Sequence, residues 1–334
     1  MKVVLILTSP NDPHADSVIS HLQNMDVQVV RWHMGEFNQS SIVTFEKNRS
    51  AVSIQSSRRQ FCGEDIISCW VRRPEPVTDF LDDYNELDKR IISQESQAFL
   101  EGLFGSLGEA VWFSHPYYLR IAGHKPYQLR VAGSVGFLVP DYIISNESSK
   151  LHDFAAKHQQ VVFKPISSHN TGFAHQGYWI SILVKNYKPD DLASLVKNKP
   201  PSPCFLQQYI HKEFDARVTV VNHEVISIAI KPKSESTDNV DWRANLPQYD
   251  HIPIECPEGI KQSIIAYQKH MKLNFGAFDF AVDRDGRWWF LECNQNGQWL
   301  WLELETGLPI SKIMAESLAL VRRPLITETP LLPA

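Results

Sequence analysis

The sequence predicts a mixed fold, an α/β unit at the N-terminus followed by α+β layers. Three observations carry that expectation: a βαβ opening, a Pro-rich break past the middle of the chain, and a long apolar hairpin near its end. The 334 residues exceed what one core usually organises and fit two or three packed units. Hydrophobic residues make up 43%, and no apolar run approaches the ~20 residues of a membrane helix. No bilayer span is expected.

Residues 2–8 read as a buried first strand, because Val3-Val4-Leu5-Ile6-Leu7 is short and continuously apolar. Lys2 followed by Pro10, Asp12 and Pro13 lacks the apolar stretch and cleavage site of a signal peptide. Asp12-Pro13 starts a helix with Val18, Ile19, Leu22 and Met25 at helical spacing, and 27–32 returns as a strand. The intervening loop has no GxGxxG, so this unit reads as scaffold rather than a dinucleotide site. Residues 85–104 form the longest helical candidate, with Leu87, Ile91, Ala98, Phe99 and Leu103 as an apolar stripe beside Asp88, Lys89, Glu95 and Glu101. From 116 onward short strand-like and helical runs alternate, as at 127–135, 138–144, 150–158 and 161–166. Pro200-Pro201-Ser202-Pro203 marks a boundary before strands at 204–210 and 216–230. Residues 231–258 read as a long irregular loop. These breaks divide the chain into 1–115, 116–199 and 200–325, with a tail at 326–334 expected to fray.

Net charge of −5 argues against a general nucleic-acid binder, which needs clustered Lys and Arg on one face. Arg58-Arg59, Arg72-Arg73 and Arg322-Arg323 read as solvated surface pairs. Cys62, Cys69, Cys204, Cys256 and Cys293 are odd in number and show neither CxxC nor a metal spacing, which fits a reducing cytoplasm.

Two apolar runs at 275–294 flank Asp285-Gly286 and read as a β-hairpin. With Asp285 and Gly286 as the loop, Arg284 pairs with Arg287, and counting inward sets Asp279 opposite Glu292. Opposed carboxylates among Ala277, Ala281 and Phe290 require a positive charge between them. A hard divalent cation such as Mg²⁺ suits two carboxylates plus the Asn294 oxygen on the same face. The alternative is an exposed edge hairpin in a shifted register. Cys293 alternates away from Glu292 and reads as core.

A metal of this kind needs phosphates, yet the chain lacks GxxxxGK[ST]. Lys164, in the apolar run Val161 to Ile166, is costly in a strand unless its charge meets an anion. Lys125 is a weaker candidate, and the polar loop Ser167 to Gly172 could close backbone donors over phosphates. Arg217 opens a strand and Arg243 lies in the irregular loop, and two such guanidinium forks suit an acyl phosphate or a transferring phosphoryl group.

The order Lys125, Lys164, the linker Gln207-Gln208-Tyr209-Ile210, Arg217, Arg243, Asp279, then Glu292 with Asn294 resembles the ATP-grasp superfamily. More narrowly, RVTVV at 217–221, DWR at 241–243 and NGQWLWLELE at 296–305 are similar to the microviridin-type branch, the graspetide synthetases that macrocyclise ribosomal peptides. Trp70-Val71-Arg72-Arg73 and the helix at 85–104 resemble that branch's N-terminal domain.

The resemblance implies an ATP-grasp fold behind a βαβ pre-ATP-grasp domain, with ATP and Mg²⁺ as cofactors. It implies phosphate contacts from Lys125 and Lys164, adenine held by the backbone of Gln207 to Ile210, and Asp215 at the ribose. Asp279, Glu292 and Asn294 would hold Mg²⁺, and Arg217 and Arg243 would stabilise the transferring phosphate. The partner would be a precursor peptide, leader plus core, with the leader docked on the polar face of the 85–104 helix. A homodimer is left open. Gln208 stands where relatives commonly carry an acidic residue and Gln295 where they commonly carry proline, which affects nucleotide contacts and loop stiffness respectively. The same residues would serve an intermolecular ligase that joins an amino acid to a small molecule or protein tail. A nucleotide-binding regulator without catalysis is a third expectation.

Overall fold

The structure is a computed structural model that describes residues 2–36, 41–44, 53–56, 59–73, 81, 83–107, 111–158, 160–167, 172–175, 178–181, 185–187, 200, 202–234, 242–244 and 246–320. Strand β1 (Val3–Thr8) is buried at every position, as a parallel strand covered on both faces must be. Asp12 caps helix α1 (Pro13–Asn24), its carboxylate accepting from the His14 N–H at 3.1 Å and the Ala15 N–H at 3.4 Å. Strand β2 (Gln28–Trp32) then runs parallel to β1 and completes the βαβ unit. Strands β3 (Ser41–Thr44), β4 (Ser53–Ser56) and β5 (Arg59–Cys62) form a small antiparallel sheet. Strand β6 (Ile66–Arg72) returns to the other side of β1. Helix α2 (Glu86–Ser106) leads to β7 (Val111–Phe113), giving a parallel sheet in the order β2-β1-β6-β7.

In α2 the inward face differs from the expected stripe. Ser96, Leu100, Leu103 and Phe104 are buried, whereas Leu87 is 66% and Ile91 49% exposed. Only the C-terminal half of the helix packs on the N-terminal core.

Two short helices, α3 (Pro116–Ala122) and α4 (Lys125–Ser134), bridge to the middle of the chain. There β8 (Tyr142–Ser145), α5 (Ser148–Lys157), β9 (Val161–Lys164), the hairpin β10 (Gly172–His175) with β11 (Tyr178–Ser181), β12 (Lys185–Tyr187) and β13 (Cys204–Gln208) follow. Four of these strands make an antiparallel sheet in the order β12-β9-β13-β8.

The largest sheet, β16-β15-β14-β17-β18, is antiparallel throughout. It contains β14 (Lys212–Val221), β15 (Glu224–Pro232), β16 (Tyr249–Ile254), β17 (Phe275–Asp283) and β18 (Trp288–Asn294), with α6 (Glu258–Met271) before β17. The expected single strand at 216–230 is two strands that turn at Asn222, whose φ of 55° is left-handed; asparagine tolerates that conformation and so hid a turn that carries no glycine. The expected irregular loop at 231–258 includes β16, which pairs with β15 over Ser227 to Pro232. Its alternate exposure on an edge left no apolar run to read.

Behind this sheet Phe137 stacks on Phe290 with centroids 5.2 Å apart, alongside Tyr267, Phe278 and Phe280. Helices α7 (Leu300–Thr306) and α8 (Ile310–Ala319) end the described chain. Trp299, Met314 and Leu318 share a core with Val4, Ile6 and Trp70 of the N-terminal sheet. The end of the chain is therefore packed on its beginning. The tail at 326–334 lies outside the described residues.

Candidate active site

The site is built on β17 and β18. Every residue of β17 is buried, and Asp279 lies directly opposite Glu292. The turn that produces this register differs from the expected one. The Asp283 carbonyl accepts from the Gly286 N–H at 3.0 Å, the Asp283 N–H donates to the Arg287 carbonyl at 3.1 Å, and Gly286 has φ 76°. The loop therefore holds Arg284, Asp285 and Gly286, with glycine where a left-handed residue is required. A bulge at Leu291, between the pairs Phe280–Phe290 and Asp279–Glu292, shifts the ladder back by one. The two departures cancel, and the carboxylates meet.

Each carboxylate has its own cations. Arg217, the cross-strand neighbour of Asp279, donates from Nη1 to both its oxygens at 2.8 Å and from Nη2 to the Gln298 carbonyl at 3.2 Å. Glu292 is flanked by Lys125 Nζ at 3.3 Å and Arg243 Nη1 at 3.3 Å. Asn294 Nδ2 reaches Asp279 at 3.2 Å and Glu292 at 3.4 Å. Lys125 also donates to the Pro165 carbonyl at 2.9 Å, tying α4 to the end of β9 where Lys164 sits. Arg243 is carried on a 3-10 turn, Trp242–Ala244, with its guanidinium over the Trp242 ring.

Burial dominates the electrostatics. It pushes Lys164 down to about 8, with Lys125, Arg243 and Lys212 adding to the fall and Glu292 opposing it. Burial also acts to raise Glu292, but Lys125, Arg243 and Lys164 outweigh it and hold the carboxyl well below its usual range. Asp279 is pushed upward by burial and by the Glu292 charge, with Arg217 opposing. Lys125, Lys164, Arg217 and Arg243 surround two carboxylates, so the site carries an excess of positive charge that a polyphosphate would balance.

The other expected residues divide. Gln207 is buried in β13, and its Nε2 has no hydrogen-bond partner among the described residues. The Gln208 and Tyr209 N–H groups donate to the carbonyls of Asp141 (2.8 Å) and Gln160 (3.2 Å), and Ile210 follows as irregular chain. Asp215 is buried in β14, with Lys212 Nζ 2.6 Å from its carboxylate. Cys293 is buried in the core as expected. Of the polar loop Ser167 to Gly172, residues 168–171 lie outside the described residues.

Sequence reasoning missed three contributors. Gln128 of α4 donates to the carbonyls of Ala122 (2.6 Å) and Cys293 (2.9 Å) and accepts from the Cys293 N–H (3.0 Å), fastening β18 from behind. Arg72, expected on the surface, is 1% exposed and donates from Nη1 to the Asn296 carbonyl at 2.6 Å. The Arg-Arg pair gave no hint, because its partners lie far off in the sequence, Asp12 before it and Asn296 224 positions after it. At Gly297 a Cβ would sit 2.5 Å from Ala277 Cβ and 2.8 Å from Arg217 Nη2, so the turn after Asn294 needs glycine for close approach.

Two family models match the chain: the MvdD pre-ATP grasp domain over residues 3–119, and the ATP-grasp domain of prokaryotic glutathione synthetase over residues 131–251. The chain carries an MvdD-type pre-ATP-grasp domain followed by an ATP-grasp domain. Similar solved structures extend the likeness of this ATP-grasp chain to nearly full length. A RiPP-associated ATP-grasp ligase from Chryseobacterium gregarium, in complex with ADP and a leader and core peptide, matches with TM-score 0.87 and 24% identity over 96% of this chain and 97% of that one. The macrocyclase MdnB from Microcystis aeruginosa matches with TM-score 0.76 and 25% identity over 95% and 99%. The ATP-grasp ligase PsnB, complexed with a phosphomimetic variant of its minimal precursor, Mg and ADP, matches with TM-score 0.76 and 17% identity over 96% and 98%. No curated protein matches. Among the described residues of this ATP-grasp chain, no helix is long and apolar enough to cross a membrane.

The donor set suits Mg²⁺. It offers two carboxylate groups and one carboxamide, all hard oxygen donors once the Asn294 amide turns its oxygen inward, and Mg²⁺ favours a few such groups plus phosphate. The upward push of Glu292 on Asp279 is a strain that a dication between them relieves. ATP fits as well: the buried, unpartnered Gln207 amide lies in the strand that leads into the linker.

Proposed function

We propose that this ATP-grasp ligase activates Asp or Glu side chains of a ribosomal precursor peptide as acyl phosphates and joins them to Ser, Thr or Lys side chains of the same peptide. The observation that carries this reading is the opposed pair Asp279–Glu292, flanked by Asn294 and ringed by Lys125, Lys164, Arg217 and Arg243. That arrangement suits a metal-bound polyphosphate beside a second anion, which phosphoryl transfer to a carboxylate requires. The peptide as substrate rests on the similar ligases, whose complexes hold leader, core or precursor peptides.

Lys125 and Lys164 grip the phosphates from the α4 and β9 sides. Ile210 and the linker backbone hold adenine, because the N–H groups of Gln208 and Tyr209 are already spent. Asp215 lies toward the ribose. When bound at Asp279, Glu292 and Asn294, Mg²⁺ screens the charge on the phosphates and orients them. Arg217 and Arg243 face the oxygens where charge builds as the peptide carboxylate attacks the γ-phosphorus and ADP leaves. The hydroxyl or amine of the peptide then attacks the activated carbonyl, inorganic phosphate departs, and the arginines hold the reacting groups together. A pre-ATP-grasp unit at 1–115, a central unit at 116–199 and a C-terminal unit at 200–325 divide this work. The free thiols Cys69, Cys204, Cys256 and Cys293 suit a reducing cytoplasm.

Incubation of the protein with short peptides encoded beside its gene, ATP and Mg²⁺ tests the reading by mass spectrometry. Loss of one water per crosslink with matching ADP release is expected. ADP release that appears only with a free amino acid would replace macrocyclisation by intermolecular ligation, and ATP binding without turnover on any substrate would leave a regulator.

A further inference from the structure

Arg72 ends β6 of the N-terminal sheet, remote in sequence from the ATP-grasp elements, yet its side chain is withdrawn from water at the seam between the two. Burying a guanidinium is costly, and burial pulls its pKa down to about 10, with the neighbouring Arg73 charge adding and Asp12 opposing. The surroundings show what the cost supports. Asp12 Oδ2 lies 3.6 Å from Arg72 Nε and accepts from the Thr8 hydroxyl at 2.8 Å, and the guanidinium covers the Trp299 ring at 5.2 Å. Its Nη1 holds the Asn296 carbonyl, to which Arg73 Nε also donates at 3.2 Å.

Asn296 belongs to the turn that follows Asn294. The same turn is held from the other side by Arg217 Nη2 on the Gln298 carbonyl and by Gln295 Nε2 on the Leu119 carbonyl at 3.2 Å. Gly297 has no room for a Cβ between Ala277 and Arg217. Moving the turn would move Asn294 and release one prong of Arg217, which would then be free to leave Asp279.

We propose that Arg72 is a positioning residue of the N-terminal unit: it fixes the 295–298 turn and thereby sets the metal ligand Asn294 and the Arg217–Asp279 pair. This rests on the reading of Asp279, Glu292 and Asn294 as the Mg²⁺ site. Partners of metal ligands that act at one remove are typically worth about 10- to 100-fold in metal affinity. Removing Arg72 is therefore expected to weaken the Mg²⁺-dependent part of nucleotide binding by about tenfold or more, while ADP binding without metal is unchanged.

The test uses the full chain, with ADP alone, ADP plus Mg²⁺, and Mn²⁺ plus ADP followed by electron paramagnetic resonance. The variant is Arg72→Met with Asp12→Asn, which removes the ion pair together and keeps a good cap on α1. Loss of the metal-dependent increment in a variant that melts cooperatively supports the role. An increment equal to wild type overturns it. If that variant does not fold, Gly297→Ala decides, since it displaces the same turn from the opposite side without touching the N-terminal unit. An unaltered increment there also overturns the proposal. Wild type whose ADP affinity ignores Mg²⁺ would instead sink the metal site itself.

Discussion

Raising the pH from 7 to 9 should discharge Lys164, the β9 residue proposed to grip a phosphate. Lys164 is half-buried on β9, and burial pulls its ammonium down to about 8, with the charges of Lys125, Arg243 and Lys212 adding to the fall and Glu292 opposing it. About nine in ten copies are charged at pH 7 and about one in ten at pH 9. If the ammonium must meet a phosphate, ATP can bind above pH 8 only by drawing the proton back, so affinity falls about tenfold per unit there. Between pH 7 and pH 9 the loss is about tenfold, or ~1.4 kcal/mol. ATP itself is fully ionised across most of this range and contributes little. The folding equilibrium moves the other way. A lysine whose pKa falls on folding binds fewer protons in the folded state between about 8 and 10.5, so the nucleotide-free protein gains stability through that window. Calorimetry of ATP binding in two buffers of different ionisation enthalpy measures the proton taken up, which should approach one per nucleotide at pH 9. Lys164→Arg should bind with flat pH dependence. Wild-type affinity that is level from pH 7 to 9, with no proton uptake, would refute the placement of Lys164 on a phosphate.

Other outcomes follow from the same geometry. Asp279→Asn and Glu292→Gln should each abolish turnover, and Glu292→Gln should also lower the melting temperature, because Lys125 and Arg243 lose the buried carboxylate they share, a change worth about 3 kcal/mol. Near wild-type ADP release in either would remove the metal site. Arg217→Lys should lose kcat almost as fully as Arg217→Ala, since an ammonium cannot reach both Asp279 and the Gln298 carbonyl in one plane, and single-turnover kinetics will show it. Gln128→Leu should cost about 2 kcal/mol in urea unfolding, because three backbone groups around Cys293 and Ala122 lose their partners. Glu95→Lys and Glu101→Lys on α2 should weaken binding of a leader peptide with ATP affinity unchanged; Glu101 sits beside Arg120, and unaltered leader affinity would return the helix to scaffold.

Apolar runs and punctuation made much of this protein legible in its sequence. The continuous Val3-to-Leu7 run and the Asp12-Pro13 start dictated β1 and α1, because a buried strand and a capped helix each leave a local signature. The facing of Asp279 and Glu292 was also legible, although the assumed two-residue turn was one residue short and the Leu291 bulge restored the count. Strand β16 and the Asn222 turn were not legible, since an edge strand needs no apolar run and asparagine supplied the left-handed turn without glycine.

What the sequence by itself determined was the inventory: which carboxylates, lysines and arginines are there to be brought together, and which strands carry most of them. Tertiary structure decided their pairing. Arg217 met Asp279 through strand neighbours 62 positions apart, Lys125 met Glu292 across the seam between α4 and β18, and Arg72 left the surface to hold a carbonyl 224 positions away. Local propensity and periodicity act over a few residues, whereas the burial that lowers Lys164 and hides Arg72, and the cations that hold Glu292 low against its own burial, come together only once distant layers close and expel water.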